Sequence, residues 1–176
     1  EAAGVRLVIA AKLQGKEADR LATELGRAIW ERDEPIAEAT VIDAAAGRVA
    51  HHLAGLGLKK GDRVGAYAKN SDAYLMLWLG CVRIGLVHVP INYALTAGEL
   101  SYILDQSGAK ALFHDPDLAP TVDAVRKTAK VEHYGLIRGG DGDILSVTLD
   151  RNAPRIDESD CGDGDPAQFC YTSGTT

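Results

Sequence analysis

The stretch RVGAYAKNSDAYLMLWLGCVRIGLVHV, residues 63–89, contains a strand, a helix and a second strand in sequence. Arg63 to Ala68 and Leu86 to Val89 are short apolar runs, which are typical of buried strands. Between them, residues 72–84 are apolar on nearly every side and follow a capping pair, Asn70-Ser71, so they predict a deeply buried helix. Two strands joined through a helix run parallel, and this stretch therefore favours an α/β fold.

The same alternation continues toward the end of the chain. Thr96 and Glu99 form a predicted capping box that opens a helix to about Gln106, and Gly108 lies just past its end. Pro90 is expected to end the strand that begins at Leu86. Further strands are predicted at 109–113, 133–137 and 167–171, with a helix over 117–129. We therefore expect one mostly parallel sheet with flanking helices.

Two connections depart from this alternation. Residues 138–165 are rich in glycine and aspartate, which predicts a solvated acidic connection with a short strand at 144–149. Upstream, residues 41–56 predict a helix capped by Thr40, and residues 16–32 predict an amphipathic helix. We divide the chain into an unplaced helical segment, 1–39, and an α/β region, 40–176.

Composition limits the function classes. The 176 residues carry a net charge of −6, which argues against a nucleic-acid-binding face. Apolar runs stay well below the ~20 residues that a membrane-spanning helix needs. The three cysteines are widely spaced, which indicates free thiols in a reducing cytoplasm rather than a disulfide framework or a metal site.

Several polar residues have plainer explanations than catalysis. His51 and His52 are adjacent on a predicted helix, so their side chains diverge and suit no shared metal ion. His88 lies in a predicted buried strand and is expected to be a hydrogen-bonded core residue. Asp115 and Asp117 flank a proline and are typical of a turn. No catalytic residue can be assigned from spacing.

The sequence ends in Tyr171-Thr172-Ser173-Gly174-Thr175-Thr176, directly after a predicted strand. Glycine allows the backbone to approach an anion closely, and hydroxyls with exposed N–H groups supply neutral donors. This composition is that of a loop that binds phosphate groups. An ordinary polar loop is the alternative.

With this ending, four more stretches in the same order resemble the adenylate-forming superfamily, which includes acyl-CoA synthetases, peptide-synthetase adenylation domains and firefly-type luciferases. The stretches are LGLKKGDRV (56–64), VPINYALT (89–96), Glu99-Leu100 with Tyr102-Ile103-Leu104, and Asp165-Pro166. The resemblance covers about Asp43 to Thr176. The family's loop usually continues Gly-x-Pro-Lys-Gly, which the sequence does not contain, and Ala94 stands where many acyl-CoA synthetases have Arg.

The resemblance implies the N-terminal part of the large domain of an adenylate-forming enzyme, ending within its phosphate loop. It implies ATP, Mg²⁺ and coenzyme A as cofactors and a carboxylic acid, a fatty acid in particular, as substrate. Thr172, Ser173, Gly174, Thr175 and Thr176 would hold the β- and γ-phosphates. The 176 residues alone are expected to be inactive, because half of a phosphate loop cannot enclose a triphosphate and the lysine of that loop is absent. Their expected partner is the remainder of the chain, which would supply the rest of the large domain and the mobile C-terminal domain.

Alternatives stay open at this stage. Asn92 after Val89-Pro90-Ile91 is more typical of acyl-CoA synthetases, whereas peptide-synthetase adenylation domains more often have Asp there. A non-catalytic α/β binding or scaffold module is a further alternative. The acyl substrate, the thiol acceptor and the oligomeric state, including a homo-oligomer, are left undetermined by the sequence.

Overall fold

A computed structural model of the chain describes residues 39–157, 161–162 and 164–172. The chain divides into two compact units, residues 1–45 and 46–176, and the sheet lies in the second. The helix predicted over 16–32 lies outside the described residues. The elements are α1 (Ala39–Gly55), β1 (Arg63–Tyr67), α2 (Asp72–Arg83), β2 (Val87–Ile91), α3 (Ala97–Ser107), β3 (Ala109–His114), a 3₁₀ turn (Pro116–Leu118), α4 (Ala119–Val125), β4 (His133–Leu136) and α5 (Ile144–Leu149).

The four strands form one parallel sheet in the order β2-β1-β3-β4. The predicted α/β class is therefore confirmed. The chain adds strands first on one side of β1 and then on the other, so the direction of winding reverses between β1 and β3. Val89 and Ile91 of β2 pack in a core with α3 and α4, whereas His88 meets Tyr74 of α2. Because successive side chains of a strand point to opposite faces, the helices cover both faces of the sheet.

Helix ends follow the local signals closely. Ser71 caps α2 by accepting the Tyr74 N–H, and every residue of α2 after Asp72 is buried or half-buried, as predicted. Thr96 and Glu99 form the predicted capping box of α3. Gly108 ends α3 with φ = 62°, a conformation that favours glycine. The helix α1 begins at Ala39, one residue before the predicted cap at Thr40.

The helix predicted over 117–129 is in fact two short elements. The 3₁₀ turn ends at Leu118, and α4 runs only from Ala119 to Val125. Pro120 lies in the first turn of α4, where its missing N–H is tolerated but would interrupt a longer helix.

The strand predicted at Ile144–Leu149 is wrong, because these residues form α5. The Asp143 carboxylate accepts the Ser146 N–H at 2.7 Å and so caps the first turn. At the other end, the Arg48 Nε donates to the Thr148 carbonyl at 3.1 Å. A cap and a distant arginine thus outweigh the β-propensity of the branched side chains.

The acidic connection is anchored to the fold rather than only solvated, as far as its described residues show. The Ile156 N–H donates to the Gly47 carbonyl of α1 at 3.0 Å. The Arg83 guanidinium donates to the Asp157 carbonyl at 2.7 Å. These contacts hold the connection against the helices on one face of the sheet.

Pro90 lies inside β2 instead of closing it, and the predicted strand at 167–171 is reduced to one parallel bridge between His88 and Gln168. The His88 N–H donates outward to the Ala167 carbonyl at 3.1 Å, and the Phe169 N–H donates back to His88 at 2.9 Å. The next residue whose backbone points to this outer edge is Pro90, two positions later, and it has no N–H to continue the ladder. The bridge therefore ends after one repeat.

Candidate functional site

All parallel strands end at the same edge of the sheet, and this carboxyl edge is where chemistry-bearing side chains gather. In open α/β sheets, ligands bind outside the carboxyl ends of the strands, at the point where the winding reverses. Here that point lies between β1 and β3. Lys69 follows β1, and Asp115 follows β3 directly.

Asp115 ties the ends of three strands together. Its carboxylate is 2% exposed and accepts the Lys69 N–H at 2.9 Å. The Arg138 Nε, which follows β4, lies 3.3 Å from the other carboxylate oxygen as an ion pair. The prediction of a turn at Asp115 is confirmed by the 3₁₀ turn that follows it. Its burial was not expected, and it makes Asp115 an anchor of the edge.

Lys69 and Tyr93 are exposed side by side above this anchor. The Lys69 ammonium is 2.7 Å from the Asp117 carboxylate and 5.8 Å from the centre of the Tyr93 ring. The hydrogen bond and the negative charge of Asp117 raise the pKa of Lys69, and Lys69 in turn holds the pKa of Asp117 below its ordinary value. Both groups are therefore charged at neutral pH.

The loop that carries Tyr93 is held by several hydrogen bonds. The Asn92 side chain accepts the Ala94 N–H at 3.0 Å in a local turn. The Tyr67 hydroxyl, from the end of β1, donates to the Leu95 carbonyl at 2.8 Å. The capping box of α3 begins at the next residue, Thr96. The loop is thus fixed at both of its ends.

The residues that precede the predicted phosphate loop lie beside β2. Residues 167–169 run parallel to β2, and Tyr171 packs against the core between the sheet and α3. Thr172 follows and is exposed. Ser173, Gly174, Thr175 and Thr176 lie outside the described residues. The described chain therefore runs beside β2 toward the carboxyl end of that strand before it reaches the first residue of the predicted loop.

The histidine and cysteine side chains differ in their burial. His88 is 1% exposed, and its ring meets Tyr74 edge-on at 5.4 Å. Burial, with a smaller contribution from His51, lowers the pKa of His52. Within the part of the chain that the structure describes, no group of three or more His, Cys, Asp or Glu could hold a metal ion. Cys81 is buried and Cys170 is exposed, both as free thiols.

A cavity of ≈ 530 Å³ lies between α1 and the outer strand β4, and its lining includes neither Asp115 nor Arg138. His52 and Phe113 line it, together with Asp141 from the connection after β4. Of the predicted phosphate-binding residues, the described one, Thr172, does not line it. Its three carboxylates, Glu132, Asp141 and Asp143, would repel the phosphates of a nucleotide.

Sequence reasoning missed Lys69, Tyr93, Asp115 and Arg138 as members of one assembly. One signal could have found them, since each follows closely on the end of a predicted parallel strand. The carboxyl ends of such strands are the default place to look for ligand contacts. The convergence of the side chains depends on strand order, which the sequence does not state.

Comparison with known proteins agrees with the fold. The family model described as AMP-binding enzyme matches residues 40–176. Long-chain-fatty-acid–CoA ligase FadD13 of Mycobacterium tuberculosis is 38% identical over 136 residues, which are 77% of this chain and 27% of that protein. The chain thus spans about a quarter of the length of this relative.

Solved structures give the same result. The N-terminal domain of FACL13 from Mycobacterium tuberculosis superposes with a TM-score of 0.65 at 36% identity, covering 75% of this chain and 33% of that one. ATP-bound MatB from Rhodopseudomonas palustris superposes with a TM-score of 0.65 at 34% identity, covering 77% and 27% respectively. In the described residues, no helix is long and apolar enough to cross a membrane.

Proposed function

This chain belongs to the AMP-binding enzyme family, and we propose that it is the N-terminal α/β part of an ATP-dependent acyl-CoA synthetase. The observation that carries the proposal is the course of residues 167–169, which run parallel to β2 and so direct the chain toward the carboxyl edge, where the exposed Thr172 begins the hydroxyl-rich loop. A loop of hydroxyls and glycine at that edge has the donors that a polyphosphate requires.

The proposed reaction has two steps. A carboxylate oxygen of the acid attacks the α-phosphorus of ATP, and the bond to the β-phosphate oxygen breaks. The products are an acyl-adenylate and pyrophosphate. A thiolate, that of coenzyme A, then attacks the acyl carbonyl and displaces AMP to form a thioester. The name of FadD13 supports a fatty acid as the carboxylic substrate.

Within this scheme, Thr172, Ser173, Gly174, Thr175 and Thr176 bind the β- and γ-phosphates and orient the leaving pyrophosphate. Preorganised donors of this kind stabilise charge that develops on the leaving group. Mg²⁺ at such sites is bound largely by the phosphate oxygens themselves, and it supplies further neutralisation of their charge. The proposal therefore needs no dedicated protein cage of carboxylates.

Other assignments are less well supported. Asn92 after β2 and the ligase relatives favour an acyl-CoA synthetase over a peptide-synthetase adenylation domain. A non-catalytic α/β module would not need a hydroxyl-rich loop at the ligand-binding edge. We also propose a cytoplasmic location, with which the free thiols of Cys81 and Cys170 are compatible.

The test uses the full-length protein and two assays. The first measures ATP–pyrophosphate exchange that depends on added carboxylic acid, over a panel of fatty and aromatic acids. The second measures thioester formation with coenzyme A. We expect both activities with at least one fatty acid. Exchange without thioester formation would point to another thiol acceptor, and absence of exchange with every acid would refute the proposal.

A further inference from the structure

We propose that Lys69 and Tyr93 form a nucleotide contact at the carboxyl edge, where the Tyr93 ring stacks on a purine and the Lys69 ammonium binds a phosphate. The inference rests on the proposed function, because it concerns the nucleotides of that reaction. It adds two binding residues that lie outside the hydroxyl-rich loop.

Placement is the first argument. Lys69 follows β1 at the point where the winding of the sheet reverses, and Tyr93 follows the neighbouring strand β2. The Asp115 carboxylate holds the Lys69 backbone at 2.9 Å, and the Tyr67 hydroxyl holds the loop after Tyr93 through Leu95 at 2.8 Å. Because hydrogen bonds already hold the backbone at Lys69 and in the loop after Tyr93, this site loses little conformational entropy when a ligand binds.

Chemistry is the second argument. Tyr93 is 48% exposed in the turn that follows β2. An exposed aromatic face is a stacking surface for any base, and a cation beside it suits the attached phosphate. The Lys69 ammonium lies 5.8 Å from the centre of that ring. At this distance, a single nucleotide can contact both the ring face and the ammonium.

The present partner of Lys69 can be replaced. Asp117 is exposed, and an ion pair between exposed side chains contributes little free energy. A phosphate group carries more negative charge than one carboxylate and offers more acceptor oxygens. Lys69 can therefore exchange Asp117 for a phosphate at small cost. Asp117 would keep the lysine side chain extended over Tyr93 until the nucleotide arrives.

Two nucleotides of the proposed reaction share this chemistry. ATP and coenzyme A both contain adenine and phosphates, and coenzyme A carries an additional 3′-phosphate on its ribose. The experiment separates them by measuring KM for each nucleotide in the full-length protein. ATP is varied in the exchange assay, and coenzyme A or its 3′-dephospho form is varied in thioester formation.

We expect Lys69→Met and Tyr93→Ala each to raise KM for one of the two nucleotides by about tenfold, the size expected for one phosphate contact or one stacked base. The value of kcat should stay unchanged. If coenzyme A is the ligand and Lys69 binds its 3′-phosphate, Lys69→Met should have little further effect on KM for the dephospho form. Unchanged KM for both nucleotides in both variants would overturn the proposal.

Two control variants test the specificity of the effect. Lys110→Met removes another exposed lysine that is paired with an aspartate, 3.0 Å from Asp62, at the opposite edge of the sheet. It should leave both KM values unchanged. Asp117→Asn removes the competing carboxylate and should leave KM unchanged or lower it. An Asp117→Asn variant that raises KM as Lys69→Met does would show a structural ion pair and overturn the proposal.

Direct binding separates this inference from the proposed function. Calorimetry with ATP and with coenzyme A measures affinity in the absence of turnover. If the full-length protein is inactive but binds a nucleotide that Lys69→Met weakens about tenfold, the contact stands while the proposed reaction fails. If neither variant weakens binding of either nucleotide, the contact is wrong whatever the activity.

Discussion

The two edges of the sheet use their charged side chains in opposite ways. At the amino edge, the Arg63 guanidinium donates to the carbonyls of Ser107, Gly108 and Gly61 at 2.8, 2.9 and 3.0 Å. Asp62 there is 8% exposed and accepts the N–H of Lys59 at 2.9 Å. The donors and acceptors of this edge are satisfied by the fold itself.

At the carboxyl edge, the charged groups face outward. Lys69 and Asp117 pair with each other on the surface, and the Tyr93 ring is exposed beside them. Asp115 is the exception, since it is buried and holds the backbone below them. The contrast predicts that the amino edge serves stability and that the carboxyl edge serves binding, as the geometry of open α/β sheets favours. The predictions below test this division.

The largest effect is expected in the hydroxyl loop. In the full-length protein, Ser173→Ala or Thr175→Val removes a donor to a charged phosphate, which costs about 1.5–3 kcal/mol. Carboxylate-dependent ATP–pyrophosphate exchange should slow by roughly one to two decades. Ser146→Ala, at an exposed serine of α5, is the matched control and should leave exchange unchanged. Normal exchange in both loop variants would contradict the proposal that the loop binds the phosphates of ATP.

Next in size is Arg63→Met at the amino edge. The methionine keeps the aliphatic part of the side chain but removes three hydrogen bonds from a charged donor. Because two of the three bonds are exposed to solvent, we expect the free energy of unfolding to fall by about 1.5–2 kcal/mol. The kcat and KM of the folded enzyme should not change. Urea denaturation together with exchange kinetics checks this, and a loss of activity at unchanged stability would contradict the division between the edges.

Gly108→Ala should have a smaller effect at the same edge. Gly108 has φ = 62°, and a Cβ there would lie 2.6 Å from the Arg63 Nη2. An alanine in this left-handed conformation costs about 1–2 kcal/mol. Gly98→Ala is the control, because Gly98 lies in α3 with open space around it and alanine favours a helix. Thermal unfolding of the two variants should therefore shift in opposite directions.

The smallest effect concerns pH. Burial raises the pKa of Asp62, but the hydrogen bond from the Lys59 N–H and the ion pair with Lys110 outweigh it and hold the pKa below its ordinary value. The stabilisation is therefore present above the unfolded pKa of about 3.9 and is lost as pH falls through the folded value.

Asp62→Asn should flatten the acid limb of the stability profile below about pH 4. Asp117→Asn is the matched change at the carboxyl edge, and it should alter the profile much less because Asp117 is exposed. Unfolding measured between pH 3 and 6 compares the two. Equal changes in both variants would show that burial does not distinguish these carboxylates.

Much of the fold was predictable because its signals are local. The caps at Ser71 and Thr96 and the left-handed Gly108 each depend on residues within about four positions along the chain. The alternation of short apolar strands with helices determined the parallel sheet. The terminal hydroxyls and the resemblance to adenylate-forming enzymes determined the family, whereas the role of Ser173 to Thr176 stays a prediction.

The rest depended on partners that are distant in sequence. Ile144–Leu149 is a helix partly because Arg48, 100 residues away, bonds the Thr148 carbonyl. The signal that sequence reasoning overlooked there was Asp143, a good N-cap with Ser146 three residues later. Propensity alone could not decide between strand and helix for so short a segment.

The sequence by itself determined most of the elements from α1 to β3, where they end and which family the chain belongs to, because backbone conformation responds to side chains a few residues away. Only the tertiary structure decided that the outer edge of β2, to which the backbone of His88 and Pro90 points, forms a single bridge with Gln168. It also decided that Lys69, Tyr93 and Asp115 meet at one edge. The physical reason is strand order, which is set by packing between residues far apart in the chain.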